Sequence, residues 1–382
     1  MAGIYIHIPF CRQACSYCNF HFTALPTGRQ VSLAHKNEFV AALLKEIDLQ
    51  RDYLDGETVE TVYFGGGTPS LLTLVELESI LSGLRQNFII SKDAELTLEA
   101  NPDDIAEDIL NGWRKAGINR LSLGIQSFFD ADLQWMNRAH TAAEAKESLK
   151  LVREYFDNMT ADLIYGTPTL PDDNWKYNVG QVLEFSVPHI SCYALTVEPK
   201  TPLQKLIRLG KAADVNQDRQ SDQFLLLMQW LEENGYEHYE ISNFAKPGFR
   251  SRHNSSYWQG KKYLGLGPSA HSFDGSSRQW NIANNSKYIS SLKQNLLSIE
   301  KETLTNNQQL NEYIMTSLRT MEGLSLRHVE QRFGKNAADK LLAASNELVA
   351  NNRMIITSSD YLVLTKNGKL LADGIASDLF VV

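Results

Sequence analysis

The chain has 382 residues, 43% of them apolar and 21% charged, and a formal net charge of −8 at pH 7. That size and balance predict two or three ordinary globular domains. They argue against a protein that grips nucleic acid through a basic surface. No apolar run approaches the roughly 18 residues that read as a membrane span, no secretory pattern opens the sequence, and four cysteines in this length are too few for a disulfide framework. A protein of the reducing cytoplasm, not integral to a membrane, is expected.

The first predicted element is a strand over Ile4–Ile8, and the most specific feature follows it. Cys11, Cys15 and Cys18 stand in a C-x3-C-x2-C spacing, while the last cysteine, Cys192, lies far away in an apolar run. Three thiols cannot pair fully among themselves. A [4Fe–4S] cluster is usually held by four thiolates, so three leave one iron open for a small chelating molecule. A structural zinc site needs a fourth ligand, for which His21 competes.

A helix over Glu38–Arg51 comes next, with Leu43, Leu44, Ile47 and Leu54 on one face, then a strand over Val59–Phe64. The run Gly65-Gly66-Gly67-Thr68-Pro69 sits between that strand and a helix over Leu74–Leu84. Glycine lets a ligand approach the backbone, but the run lacks the Lys-Ser/Thr of a P-loop and the G-x-G-x-x-G of a dinucleotide turn. Strands over Ala94–Ala100, Arg120–Gln126, Asp162–Tyr165 and His189–Leu195 then alternate with helices over Asp104–Lys115, Ala142–Tyr155 and Asp173–Glu184. Cys192, within the last strand, reads as a small buried hydrophobe. Parallel strands need crossover helices, so the pattern predicts an α/β fold, either an open sheet or a partial barrel. Both gather ligands at the C-terminal strand ends, where Cys11, the glycine run and Glu99 fall.

A helix over Val215–Asn234 precedes a Gly-, Ser- and Asn-rich stretch from Ser242 to about Asn285, too long and too aromatic for a linker. From Thr303, helices over Gln308–Thr320, Ser325–Phe333 and Ala337–Asn351 precede a hairpin of Met354–Ile356 and Tyr361–Leu364. Three helices and a wing resemble a winged-helix module. Its eight Lys/Arg and eight Asp/Glu leave it neutral, which favours protein packing or a lid over DNA reading. The expected division is 1–215, 216–302 and 303–382.

Tyr5-Ile-His7-Ile-Pro9-Phe-Cys11, Gly65–Pro69, Leu98-Glu99-Ala-Asn101-Pro102, Leu123-Gly124-Ile-Gln126-Ser-Phe128 and Asp162-Leu-Ile-Tyr-Gly166 together resemble the radical S-adenosylmethionine (SAM) superfamily. The chain is most similar to the anaerobic coproporphyrinogen III oxidases and their relatives. The resemblance implies a partial (β/α)6 barrel, with a small winged-helix-like α+β module behind it. It implies a [4Fe–4S] cluster on Cys11, Cys15 and Cys18, with the SAM amine and carboxylate on the open iron. Tyr5 and the backbone around Tyr17 would flank SAM, and Gly66, Gly67 and Thr68 would meet its methionine end. Glu99, Gln126, Arg138 and Asp162 match further nucleotide-binding positions. Their chemistry agrees: carboxylates accept from hydroxyls or ammonium, and arginine pairs a carboxylate. A helix cap at Glu99, a loop amide at Gln126 and a surface charge at Arg138 are the competing readings.

The oxidase pattern resembles C-x3-C-x2-C-x-C, and Phe20 stands here in place of the extra cysteine. The oxidases also carry an extension before the first strand. Both departures match the HemW-type relatives, described as heme chaperones. His253-Asn254-Ser255-Ser256-Tyr257-Trp258 resembles the H-N-x-x-Y-W block of that subgroup. It implies heme contact through His253, with Tyr257 and Trp258 beside the porphyrin; an aromatic loop packed on the barrel competes. Gly265–His271 can line the same cavity, and His271 has no assigned role. The implied function is heme carriage to an acceptor apoprotein, in a monomer or homodimer. The runner-up is porphyrinogen decarboxylation by a 5′-deoxyadenosyl radical.

Overall fold

The computed structural model describes residues 2–24 and 31–381. Strands β1 (Ala2–Ile8), β2 (Val59–Gly66), β3 (Ile90–Ala100), β4 (Arg120–Gln126), β5 (Met159–Tyr165) and β6 (His189–Ala194) pair in chain order, each parallel to the next. Helices α1 (Val31–Leu49), α2 (Leu74–Asn87), α3 (Glu107–Ala116), α4 (Ala142–Tyr155) and α5 (Asp172–Glu184) make the crossovers that parallel pairing requires. β1 and β6 are not neighbours, so the wheel stays open. The expected partial (β/α)6 barrel is present.

Alternation along each strand explains which side faces the helices. Ile4, Ile6 and Ile8 of β1, Val62 and Phe64 of β2, Leu96 and Leu98 of β3, and Leu121, Leu123 and Ile125 of β4 join one core with helix residues such as Leu43, Leu77, Ile80 and Leu149. Full burial of such a side chain contributes about 1.5–3 kcal/mol. The intervening residues point the other way. They are polar or small: Gly3, Tyr5 and His7; Thr61 and Tyr63; Thr97 and Glu99; Ser122 and Gly124; Thr160 and Asp162. The barrel therefore has an apolar outside under its helices and a polar lumen.

Strand β3 begins four residues before the expected Ala94, because the polar run Ser91-Lys92-Asp93 hides its start. The expected helix from Asp104 starts instead at Glu107, after a single 3₁₀ turn over Pro102–Asp104. After β6 comes α6 (Gln217–Glu233). The stretch from Ser242 is folded throughout. With β7 (Glu237–Glu240) before it and β12 (Ile299–Thr303) after it, it supplies β8 (Asn243–Ala245), α7 (Arg252–Trp258), β9 (Tyr263–Leu266), β10 (His271–Phe273) and β11 (Ser277–Asn281). β8 pairs antiparallel with β6, and β9 pairs parallel with the outer edge of β1. An antiparallel meander continues through β10, β11 and β12. Strands of three to five residues rich in Ser, Asn and Gly carry little alternation to read.

One buried acid locks this extension to the barrel. Glu46 on α1 accepts from the Gly267 amide at 2.8 Å, Asn281 Nδ2 at 2.6 Å and Tyr288 Oη at 2.5 Å. Burial raises its pKa, against these hydrogen bonds.

The C-terminal module has its own core of Leu310, Ile314, Leu318, Leu324, Val329, Leu341 and Leu362. Its helices are Asn306–Leu318, Leu326–Phe333 and Lys335–Ala350, and strand Leu324–Ser325 joins the hairpin as a third strand. A closing helix, Ala372–Asp378, was not legible in the sequence. The module docks beside α7 through helix Asn306–Leu318, at whose end Arg319 pairs with Glu240 at 3.1 Å and lies 5.2 Å over the Trp258 ring. Among the described residues, no helix is long and apolar enough to cross a membrane.

Candidate functional site

β1 runs from Gly3 at one end of the lumen to His7 at the other, and the cysteines follow its C-terminal end. Phe10–Cys11 forms a two-residue strand beside Thr23–Ala24. The glycine turn after β2 is pinned to it: the Gly67 amide donates to Ile8 O at 2.9 Å and the Thr68 amide to Phe10 O at 2.7 Å. A Cβ on Gly66, whose φ is 103°, would lie 2.5 Å from the His7 ring, and one on Gly67 would lie 2.6 Å from Phe10 O. Both positions therefore require glycine, and they bring bare backbone to the barrel mouth.

Cys11, Cys15 and Cys18 are half-buried and unbridged. Burial pushes the Cys11 thiol up to about 11, against a hydrogen bond from Thr68, and raises Cys18 as well. A bound metal ion would favour the thiolate form at both. Among the described residues no group of three or more His, Cys, Asp or Glu converges to hold one metal ion. A cluster spreads its thiolates over separate irons. His21, the competing zinc ligand, bonds Asn285 Oδ1 through Nε2 at 2.7 Å.

The other mouth residues converge on the same end. Arg138 Nη1 donates to Cys15 Sγ at 3.4 Å, while Nη2 donates to Asn101 Oδ1 at 2.7 Å and Gly124 O at 2.9 Å. Arg138 is thus no surface charge. Asn101 Nδ2 in turn donates to Thr68 Oγ1 at 3.3 Å, linking arginine to glycine turn. Gln126 ends β4 with a left-handed φ of 67°, and its amide lies with Arg138 over Gly124. Tyr17, within the cysteine loop, packs against a small core of Leu133, Met136, Ile164, Leu195 and Leu203.

Glu99 caps no helix. It accepts from Tyr63 Oη at 2.7 Å, and Tyr63 stacks on Tyr5 at 6.2 Å. Burial lifts Glu99 to about 7, with the Tyr63 hydrogen bond opposing and Asp162 reinforcing. Burial also raises Asp162, which accepts from Ser122 Oγ at 3.1 Å. The expected residues Tyr5, Tyr17, Gly66, Gly67, Thr68, Glu99, Gln126, Arg138 and Asp162 therefore share one mouth with the three cysteines. Asn101 joins them; it lies within the Leu98–Pro102 block, where an asparagine carries no signal of its own.

His253, Tyr257 and Trp258 lie elsewhere. Helix α7 plugs the opposite end of the lumen, where the strands begin. Glu95 accepts the amides of Arg252 at 3.1 Å and His253 at 3.0 Å. His253 is 1% exposed. Its Nδ1 bonds Thr61 Oγ1 at 2.8 Å, its Nε2 bonds Tyr257 Oη at 2.8 Å, and its ring stacks on Tyr63 at 5.0 Å. Burial, then the Arg120 charge, lowers it to about 3, so it is neutral. The expectation of an imidazole open to heme meets a histidine with both nitrogens taken. Gly267 lies at the level of His7, towards the other end of β1 from His253. His271 is exposed and stacks on Trp280 at 5.8 Å.

A parallel βα barrel with three free cysteines, a glycine turn and buried acids at its mouth is the architecture of radical SAM proteins. The Radical SAM superfamily model matches residues 5–178, and the HemN C-terminal domain model matches residues 304–371. Coproporphyrinogen III oxidase (HemN) from Escherichia coli shares the fold over all of this chain and 90% of its own, with a TM-score of 0.84 and 24% identity. Heme chaperone HemW of Mycobacterium tuberculosis is 35% identical over 99% of this chain and 94% of its own length. That of Bacillus subtilis is 31% identical over 98% and 97%. The chain belongs to the HemW family.

Proposed function

We propose that this protein is a heme chaperone that carries heme to an acceptor apoprotein. The full-length similarity to relatives named heme chaperone HemW is the observation that carries this reading. Phe20, standing where the oxidase pattern has a further cysteine, supports it over porphyrinogen decarboxylation.

The mouth fits a [4Fe–4S] cluster with SAM. Its thiols are free, its glycine turn leaves a cradle that a Cβ would fill, and its polar groups point inward. Cys11, Cys15 and Cys18 would hold three irons, and SAM would chelate the fourth. Gly66, Gly67 and Thr68 would meet the methionine end; Tyr5, Tyr17, Glu99, Gln126, Arg138 and Asp162 would bind the remainder. When reduced, such a cluster supplies an electron to SAM. The chain's own residues orient the ligand: Arg138 offers its positive charge to a carboxylate, with Nε left without a partner, and Glu99, poised near 7, accepts from hydroxyls or an amine.

Heme contact at His253 requires one of two bonds to open, that from Nδ1 to Thr61 on β2 or that from Nε2 to Tyr257 on α7 itself. The deciding experiment uses cluster-loaded protein under anaerobic conditions. Heme should bind with a Soret band and pass to an apo-acceptor, while coproporphyrinogen plus SAM yields no vinyl product. Sustained decarboxylation would overturn the proposal. His253→Ala losing the Soret band supports contact through that residue, and an unchanged band removes it from the heme site. Cys11→Ser, Cys15→Ser or Cys18→Ser should abolish the visible absorption of the cluster.

A further inference from the structure

The three cysteines sit on one loop, yet that loop is held in different ways along its length. Around Cys11 the support is backbone pairing, with strand Phe10–Cys11 fixed by Thr23–Ala24 and by the glycine turn. Residues 13–16 belong to no strand or helix. Ser16 O accepts from the Leu203 amide at 2.8 Å, and other polar groups of the segment reach the turn at 135–138, more than a hundred residues later.

The Ser16 amide donates to Met136 O at 3.0 Å, and Ser16 Oγ donates to Trp135 O at 3.2 Å. Asn137 does the most. Its Nδ2 donates to Ala14 O at 2.7 Å, its carbonyl accepts from Gln13 Nε2 at 2.9 Å, and its Oδ1 accepts from the same nitrogen at 3.2 Å. It flanks Cys15 on the side opposite Ser16, and the next residue, Arg138, reaches the Cys15 sulfur itself.

We propose that Asn137 is a positioning residue that sets the Cys15 limb of the cluster loop; the inference rests on the reading of the three cysteines as cluster ligands. Two properties are needed at this position, and asparagine has both. Its φ is 56°, in the left-handed region that asparagine enters more readily than most residues. Its amide is donor and acceptor at once, so one side chain closes on both Gln13 and Ala14. Groups that orient metal ligands without touching the metal tune affinity and potential through ligand placement.

The test uses full-length protein reconstituted anaerobically with iron, sulfide and SAM. Asn137→Gly keeps the left-handed backbone and deletes the amide; Asn137→Asp keeps an acceptor for Gln13 and loses the donor to Ala14. The readouts are the rate of iron removal by a chelator, and the EPR spectrum and midpoint potential of the reduced cluster. Asn137→Gly should lose iron about tenfold faster than the parent chain, with a changed spectrum and potential and an unchanged melting temperature of the metal-free protein. Asn137→Asp should fall between. Should Asn137→Gly fail to fold, Gln13→Ala, at an exposed residue, carries the same test. Parental release rate, spectrum and potential in these variants would overturn the inference. Full iron retained by Cys15→Ser would instead sink the cluster reading beneath it.

Discussion

The two ends of the barrel are built from the same six strands and are opposites in what they leave undone. At the floor, hydrogen bonds close around His253: Glu95 caps α7, and both nitrogens of the ring are taken by Thr61 and Tyr257, while Arg120 Nε and Nη2 and Trp258 Nε1 are buried without a partner. At the mouth, thiols are free, a glycine turn exposes backbone, and Glu99 and Asp162 are held where burial disfavours their charge. A satisfied histidine stabilises the fold, and free thiols beside bare backbone are where a ligand has something to gain.

The sharpest way to break this contrast is at the glycine turn. Gly67→Ala sets a methyl 2.6 Å from Phe10 O and 2.7 Å from Ile8 O, backbone atoms that cannot step aside. A loss of about 1–3 kcal/mol is expected in denaturant unfolding, together with loss of the SAM-induced change in the cluster spectrum. A parental spectrum would show that the turn is only a tight connection.

Thr61→Val tests the floor. It leaves His253 Nδ1 buried without a partner, and unfolding should show a cost of about 1–3 kcal/mol, while the cluster spectrum stays as in the parent. A floor change that altered that spectrum would mean the two ends are coupled.

The pH dependence of stability should separate the ends by sign. Glu99 titrates near 7 in the fold instead of 4.5, because burial disfavours its charge. Between those values the folded chain holds a proton that the unfolded chain has released, so this contribution falls as pH rises. His253 is lowered from 6.5 to about 3 by burial. In that window the unfolded chain takes up a proton that the folded chain refuses, so this contribution rises with pH. Unfolding measured at pH 5, 6 and 7 should show a more positive slope in Glu99→Gln and a less positive one in His253→Gln. The same slope in all three proteins would remove the contrast.

The smallest effect is expected at Phe20, 65% exposed on the cysteine loop. Phe20→Ala should stay within about 0.5 kcal/mol of the parent in the same unfolding measurement. A larger loss would mean that the ring packs on a neighbour.

What the sequence could show follows from how each feature is spread along the chain. Cys11, Cys15, Cys18 and the glycine turn are short runs whose spacing is their geometry, and β1 to β6 repeat one alternation. The grip of Asn137 on Gln13 joins residues 124 apart, and no local pattern marks it. The block at His253 was visible, but its surroundings were not, since Thr61 and Glu95 come from two other strands. The extension escaped for a different reason: β9 is four residues long and its role is to border β1, a fact of pairing rather than of composition.

That border has a consequence in time. Ile4 and Ile6 of β1 line up with Leu264 and Leu266, so the first strand made waits for one of the last parts of the barrel. At about 5–20 residues per second of synthesis, the outer edge of β1 stays unpaired for roughly 10–50 s while β2 to β6 are already emerging. Pairings so distant along the chain are slow to form, because loop closure comes before any contact is gained. The nascent protein thus has a half-minute in which an open strand edge sits beside the cysteine loop, and guarding that edge is a task for whatever attends the ribosome.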